Sequence, residues 1–448
     1  MSPSDRRLDS IPEDAFVANI TTAVVAALVP ALAASNAAAG AATRDPFGRE
    51  RVSLPYQEVD LKFTHDLSPG TMSVFKAGTG DVVHVAGDSY AKLSVAASGD
   101  RAILRTRVPQ RYRAGQGLLI IPTSIVESPD AANVVHRIGY LNDSDGVFLK
   151  ISNGVTSFIV RDSIQSTETE ILQSAWNKDK FDGTGDSGVT IDWSKSILMV
   201  IDLQYLGIGQ IRWGFEFGGS IIWAHWQDYS NVSSTGPYMA SANLHLCWEI
   251  EATGVPAATT NLRAICGTVI REGGNEEPTD HQVAARPVVT PAEAPASQAW
   301  TSVVSVRVKD LHKETGSALP SQINVYTVDT EDLAWRVLRL PFDDVPAGIT
   351  NWADAGDESI CEMSLDVTTV DITKGKTYGS GEISGGTNAA PGAPVVTGIF
   401  DASALGLTDD SGTVGISYEQ DVMVLCVAKL DNAGTADVFG SIQIHEVR

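Results

Sequence analysis

The sequence is short of charge, of cysteine and of uninterrupted apolar length. Charged residues make up 19% of the 448, and the basic ones are outnumbered, 32 Lys and Arg against 55 Asp and Glu, for a net charge of −23. A surface this acidic repels phosphate backbones, so nucleic acid is not an expected partner. Four cysteines are too few for a disulfide scaffold, and Cys247, Cys266, Cys361 and Cys426 contain no CxxC pair. Each lies in an apolar, strand-like run where a buried free thiol is the ordinary state, in keeping with folding in a reducing cytoplasm. A Cys247–Cys266 bridge stays open as an alternative. The eight histidines are scattered, with neither HExxH nor His-x-His spacing, so neither a transition metal nor a cofactor is expected.

The nearest approach to a long apolar run is residues 20–42, ITTAVVAALVPALAASNAAAGAA, which ends in small residues as a secretion signal does. A signal needs a short cationic start, whereas here Asp5, Asp9, Glu13 and Asp14 outnumber Arg6 and Arg7. Pro30 interrupts a stretch dominated by Ala and Thr, which argues against membrane insertion. An unprocessed, non-spanning N-terminus is the expectation.

Gly, Ser, Thr, Val and Asp are present in quantity, a mixture that suits short strands and tight turns better than long helices. The chain is too long for one core, so two domains with extensions are expected. At the start, Ser10-Ile11-Pro12-Glu13 has capping-box spacing with proline in the first turn. It predicts a helix running to about Leu28, with Phe16, Ile20, Val24 and Leu28 on one stripe. A lone helix of that length is marginal in water, so these four residues are candidate docking residues, packing on their own protein or into a partner. The Ala/Gly-rich tail that follows reads as a tether, which makes residues 1–45 an attachment segment.

Residues 46–271 read as one large β-sandwich. Ile211, Trp213, Phe215 and Phe217 alternate with Gln210, Arg212, Gly214 and Glu216; Gly218-Gly219 and then Ser220–Trp226 complete a hairpin signature. Leu244, Leu246, Trp248 and Ile250 alternate in the same way. Residues 272–298 change character, with Pro278, Pro287, Pro291 and Pro295 predicting an extended connector. Strand patterns resume from Trp300, so residues 299–448 read as a smaller C-terminal β-sandwich.

Short strings that invite an enzymatic reading fail on context. Gly185-Asp186-Ser187-Gly188 looks like the nucleophile loop of trypsin-like proteases, but His84 and His136 lack the Ala-Ala-His-Cys setting such enzymes need upstream. Gly87-Asp88-Ser89 resembles the first block of SGNH hydrolases, whose alternating helices and late Asp-x-x-His pair are missing. Asn142 to Gly146 has part of a calcium-loop rhythm without the closing Glu, and its expected role is a hairpin turn; a calcium held by Asp182, Asp186 or the Asn142–Asp145 loop is the lesser alternative. No catalytic residue and no metal ligand is therefore expected. Trp176, Trp193, Trp213, Trp223, Trp226 and Trp248 cluster in the first domain. Core packing accounts for most of them. Trp223 and Trp226, three apart in one strand, should point to opposite faces, which leaves one exposed for glycan contact.

The run Trp176-Asn177-Lys178-Asp179-Lys180-Phe181-Asp182-Gly183-Thr184-Gly185-Asp186-Ser187-Gly188, then Ile191-Asp192-Trp193 and Asp202 to Phe215, resembles a family of uncharacterised virion structural proteins of marine tailed bacteriophages. Tyr238-Met239, Asn243-Leu244 and the last strands, Val422 to Leu430 and Ala436 to Ile444, are similar to it as well. The resemblance implies a non-enzymatic place on the particle, as a fibre, spike or decoration, and a homo-oligomer in contact with capsid, portal or tail proteins. It implies folding in the host cytoplasm before assembly into the virion. The order around Ile138-Gly139-Tyr140, Gly146-Val147-Phe148 and Ile211-Arg212-Trp213 is also similar to concanavalin-like jelly rolls. A glycan-binding receptor module, with host-surface glycan as partner, is the alternative; a polysaccharide depolymerase is the more distant one.

Overall fold

Strictly alternating runs become strands because period-two burial suits a pleated sheet with one face on a core. The computed structural model describes residues 55–232, 236–273, 281–287, 289–313, 315–383, 407–409, 418–431 and 434–447. It is mainly β, with 54% strand and 3% helix. The expected N-terminal helix, with Phe16, Ile20, Val24 and Leu28, lies outside the described residues. From Ser53 onward the chain forms one unit. No helix among the described residues is long and apolar enough to cross a membrane.

The first strands are β1 (Pro55–Lys62), β2 (Met72–Ala77), β3 (Asp81–Val85), β4 (Tyr90–Val95), β5 (Arg101–Thr106) and β6 (Leu118–Val126). After them come β7 (Val134–Leu141), β8 (Gly146–Ser152), β9 (Val155–Asp162), β10 (Thr167–Leu172) and β11 (Ile197–Leu203). The set closes with β12 (Ile211–Phe217), β13 (Ser220–Gln227), β14 (His245–Ala252) and β15 (Thr260–Glu272). They make two antiparallel sheets. One runs β13-β12-β11-β6-β15-β4-β3, with β1 also paired to β15; the other runs β10-β9-β8-β7-β14-β5-β2.

The inner faces of these sheets enclose one large core. Its centre is aromatic: Phe158 stacks on Trp176 and Trp213 with ring centroids 4.2 and 5.1 Å apart. Phe181 and Trp193 meet Phe215 edge to face at 5.1 and 5.6 Å. Trp176, Phe181 and Trp193 come from the loop between β10 and β11, so that loop belongs to the core. Gly218 and Gly219 turn the β12–β13 hairpin with φ of 62° and 83°, a left-handed pair that glycine adopts without a Cβ penalty. Cys247 faces outward from one sheet and Cys266 outward from the other; both are free thiols.

In the C-terminal part, strands His281–Ala285, Ala292–Ala294 and Ser317–Thr327 all pair with the long strand Ala436–Val447. The opposing sheet orders Trp352–Asp354, Cys361–Ser364, Thr301–Val308, Val422–Lys429, Leu333–Leu340 and Lys376–Ile383. Val, Ile, Leu and Ala dominate the core between them. Two of these strands fall within residues 272–298, where a connector was expected. Proline is tolerated there because the strands are short and the prolines lie outside them, Pro287 and Pro291 between the two and Pro295 just after the second.

The large sandwich and the C-terminal one meet over buried charge. Arg107, just after β5, donates to the Asp421 carboxylate at 2.9 Å, and Arg339 approaches the same oxygen at 3.6 Å. Asn243 adds a bond from its side-chain amide to the Thr315 carbonyl at 3.2 Å.

Candidate functional site

Trp223 and Trp226 lie on the last strand of their sheet, and a local irregularity decides where they point. Trp213 pairs with His225 whereas Gly214 pairs with Trp223, so Ala224 is an extra residue in β13. This bulge shifts the alternation by one, and directly opposed residues share a face. Trp226 opposes Arg212, Trp223 opposes Gly214, and both tryptophans stand on the outer face. The expectation of opposite faces is thus corrected. Spacing alone cannot reveal it, because Ala224 looks like any other strand residue.

On that face the two rings have different surroundings. Trp226 carries two cations, with the Lys178 ammonium 4.0 Å and the Arg212 guanidinium carbon 4.7 Å from its ring centre. Its indole nitrogen is buried without a hydrogen-bond partner. Arg212 itself donates to the Gln210 side-chain oxygen at 2.6 Å, and the Gln210 side-chain nitrogen donates to Asp228 at 2.5 Å. Trp223 is half-buried and makes no ring contact among the described residues. Its ring sits close over Gly214, which leaves room for it: a Cβ there would come within 3.0 Å of the Trp223 ring. Trp223 is therefore the open surface, and Trp226 a cation-covered ring beside it.

The outer edge of β13 is held by the loop that precedes β11. Asn177 bonds the backbone of Trp226 twice, donating to its carbonyl at 2.8 Å and accepting from its amide at 3.0 Å. Lys178 N and Asp179 N both donate to the Ala224 carbonyl, which the bulge exposes. The residues of this loop serve packing and turn geometry. Trp176 and Phe181 are buried, and Asp179 accepts from Phe181 N and Ser187 N at 2.8 Å each. Ser187 spends its hydroxyl on Val189 N at 3.1 Å. Asp182 caps Thr184 at its amide and hydroxyl.

The remaining polar elements of this sandwich are also tied up structurally. Asn142 folds its own turn by accepting from Ser144 N and Asp145 N at 2.9 and 2.7 Å. Glu249, on the outer face of the other sheet, is buried but accepts from Arg101 and Arg137 at 2.9 and 2.5 Å. Burial works against its ionisation, and the two guanidiniums overcome that and hold the carboxyl below its usual range. No group of three or more His, Cys, Asp or Glu able to hold a metal occurs among the described residues.

No family model matches the chain, and no curated protein matches it. Among solved structures, it is similar to a botulinum neurotoxin serotype D ligand binding domain in complex with N-acetylneuraminic acid. That likeness has 10% identity and a TM-score of 0.30 over 85% of this chain and 95% of the other. An endo-1,3-β-glucanase from Streptomyces sioyaensis aligns at 9% identity and a TM-score of 0.33, covering 49% of this chain and 97% of its own. The CBM2 module of an evolved Dit of Lactobacillus casei BL23 phage J-1 aligns at 9% identity and a TM-score of 0.32, covering 50% and 98%. Likenesses this distant decide nothing about function.

Proposed function

We propose that the protein is a non-enzymatic structural component of a virion that recognises carbohydrate through the outer face of the β12–β13 hairpin. The observation that carries this reading is the bulge at Ala224, which sets Trp223 beside Trp226 on the outer face while Trp176, Trp193, Trp213 and Trp248 stay in the core. A flat indole with an unoccupied face suits the apolar side of a sugar ring, and the neighbouring amide and charged groups supply hydrogen bonds. Trp223 is the stacking platform, and Lys178, over the Trp226 ring on the same face, the exposed donor. The virion placement is supported by the resemblance over Trp176 to Phe215, with residues 1–45 as the attachment segment.

Single sites of this kind are weak, and repetition on a symmetric particle would raise avidity. A glycan array probed with the protein in multivalent form tests the reading. Binding to a defined subset of glycans, lost in Trp223→Ala, is the expected result; an array blank for the multivalent wild type sinks it. Deleting residues 1–45 should leave a folded β protein that no longer joins particles. Polysaccharide incubated with the protein should stay intact.

A further inference from the structure

Four phenol rings stand in series at the end of the large sandwich where the β5–β6, β11–β12 and β13–β14 loops meet. Tyr112 meets Tyr205 edge to face at 5.6 Å, Tyr205 meets Tyr238 the same way at 5.3 Å, and Tyr238 stacks on Tyr229 at 4.1 Å. Two carboxylates lie beside them, Asp145 from the β7–β8 turn and Asp162 at the end of β9. Both are buried, and neither has a Lys or Arg partner among the described residues. Asp145 accepts from Ser163 at its amide and hydroxyl and from Ala240 N. Asp162 gives one oxygen to Ile164 N at 2.8 Å.

The hydroxyls are unevenly served. Tyr205 donates to the Met239 carbonyl, and the Tyr112 oxygen accepts from Leu206 N at 3.1 Å. The hydroxyls of Tyr229 and Tyr238 are buried with no hydrogen-bond partner, and Tyr238 as a whole is only 4% exposed. Burial pushes the Tyr205 phenol up to about 12, and the charges of Asp145 and Asp162 add to the shift; burial and Asp162 raise Tyr229 as well. Asp145 is tied through Ala240 N to the segment that carries Tyr238, and Ser163, which also bonds Asp145, adjoins Asp162.

A buried carboxylate without a counter-ion and a buried hydroxyl without a partner are each costly, and here they share one cluster. A cation complements the charge of the two acids. Ring faces attract cations, which makes a chain of tyrosines a suitable wall for one. Two acids are too few for a metal site, in line with the absence of any three-ligand group among the described residues. We propose that the Tyr112, Tyr205, Tyr229 and Tyr238 cluster, with Asp145 and Asp162, binds a small organic ammonium ion. The site is separate from the Trp223 face and does not depend on it.

The test uses the full chain titrated with choline chloride, followed by calorimetry and by tyrosine near-ultraviolet absorbance. Its uncharged counterpart, 3,3-dimethylbutan-1-ol, is run in parallel at matched ionic strength. Choline should saturate and perturb the tyrosine band, and the alcohol should bind at least about tenfold more weakly. Asp162→Asn keeps the oxygen that accepts from Ile164 N and removes the charge, so it should weaken choline about tenfold without lowering the thermal transition. Should that variant fail to fold, the choline and alcohol pair on the wild type still decides. No saturable choline binding, equal binding of the alcohol, an unaffected folded Asp162→Asn, or saturation by neutral glucose in place of choline would each overturn the proposal.

Discussion

Between β9 and β12 the interior of the large sandwich is a stack of rings, whereas the C-terminal sandwich fills the same kind of space with branched aliphatics and Trp335. The difference extends to the loops. In the large sandwich the β10–β11 loop sends Trp176, Phe181 and Trp193 inward, so apolar contact fastens it alongside the bonds of Asn177 and Asp179. In the small one, no loop among the described residues sends a buried aromatic into the core, and carboxylates do the fastening at two loops. Glu446 accepts from Ser359 Oγ and from Ile360 N and Cys361 N at 3.1 and 3.3 Å. Asp366 accepts from Thr350 N and Asn351 N at 2.7 and 2.8 Å. A ring stack recruits its loop as core and leaves the surface strand free to carry exposed indoles. A carboxylate anchor leaves the aliphatic core self-sufficient and ties loop stability to ionisation.

Truncation in the ring stack should cause the largest loss. Phe158→Ala removes the ring that touches both Trp176 and Trp213, and should cost about 4 kcal/mol in urea unfolding, against about 3 kcal/mol for Leu425→Ala in the small core. Equal costs would remove the contrast. Asp421→Asn leaves Arg107 and Arg339 buried around a neutral group, and should cost about 3 kcal/mol. Calorimetry should then resolve two transitions where the wild type shows coupled ones. Glu446→Gln takes a charged acceptor from three donors and should cost about 2 kcal/mol, confined to the small sandwich.

Acid should separate the two sandwiches by pH window. Burial pushes His136, in the large sandwich, down to about 4 from its ordinary 6.5. The fold therefore holds the neutral imidazole, and its contribution is present above about 6.5 and lost as the pH falls from there towards 4. Burial alone would raise the Asp366 carboxyl, but hydrogen bonds from Asn351, Thr350 and Ser364 prevail and hold it at about 2, below the ordinary 3.8. Its contribution is present above about 3.8 and is lost as the pH falls from there towards 2. Urea midpoints measured against pH should show both limbs; His136→Met should flatten the first and Asp366→Asn the second. The smallest stability effect belongs to Trp223→Ala, under about 0.5 kcal/mol, even though it should abolish glycan binding.

The strands of this protein were largely legible, because alternation such as that of Ile211, Trp213 and Phe215 is a local property of the chain. The connector was misjudged where residues 281–285 and 292–294 find a partner more than 140 residues away in Ala436–Val447, a pairing no window of sequence contains. The face of Trp223 was misjudged because a bulge is a property of two strands in register. The tyrosine cluster escaped notice for a third reason. Its rings come from three loops and its acids from two turns, each an unremarkable polar connection until the sandwich closes.

Asn177 has a consequence for how copies of the protein meet. By bonding the carbonyl and amide of Trp226 it stands in, for one residue, for the neighbouring strand that β13 lacks. A second copy approaching that margin finds its hydrogen-bonding groups already occupied, so strand addition at this point is closed. Copies that meet at this margin are therefore kept from zipping together edge to edge there.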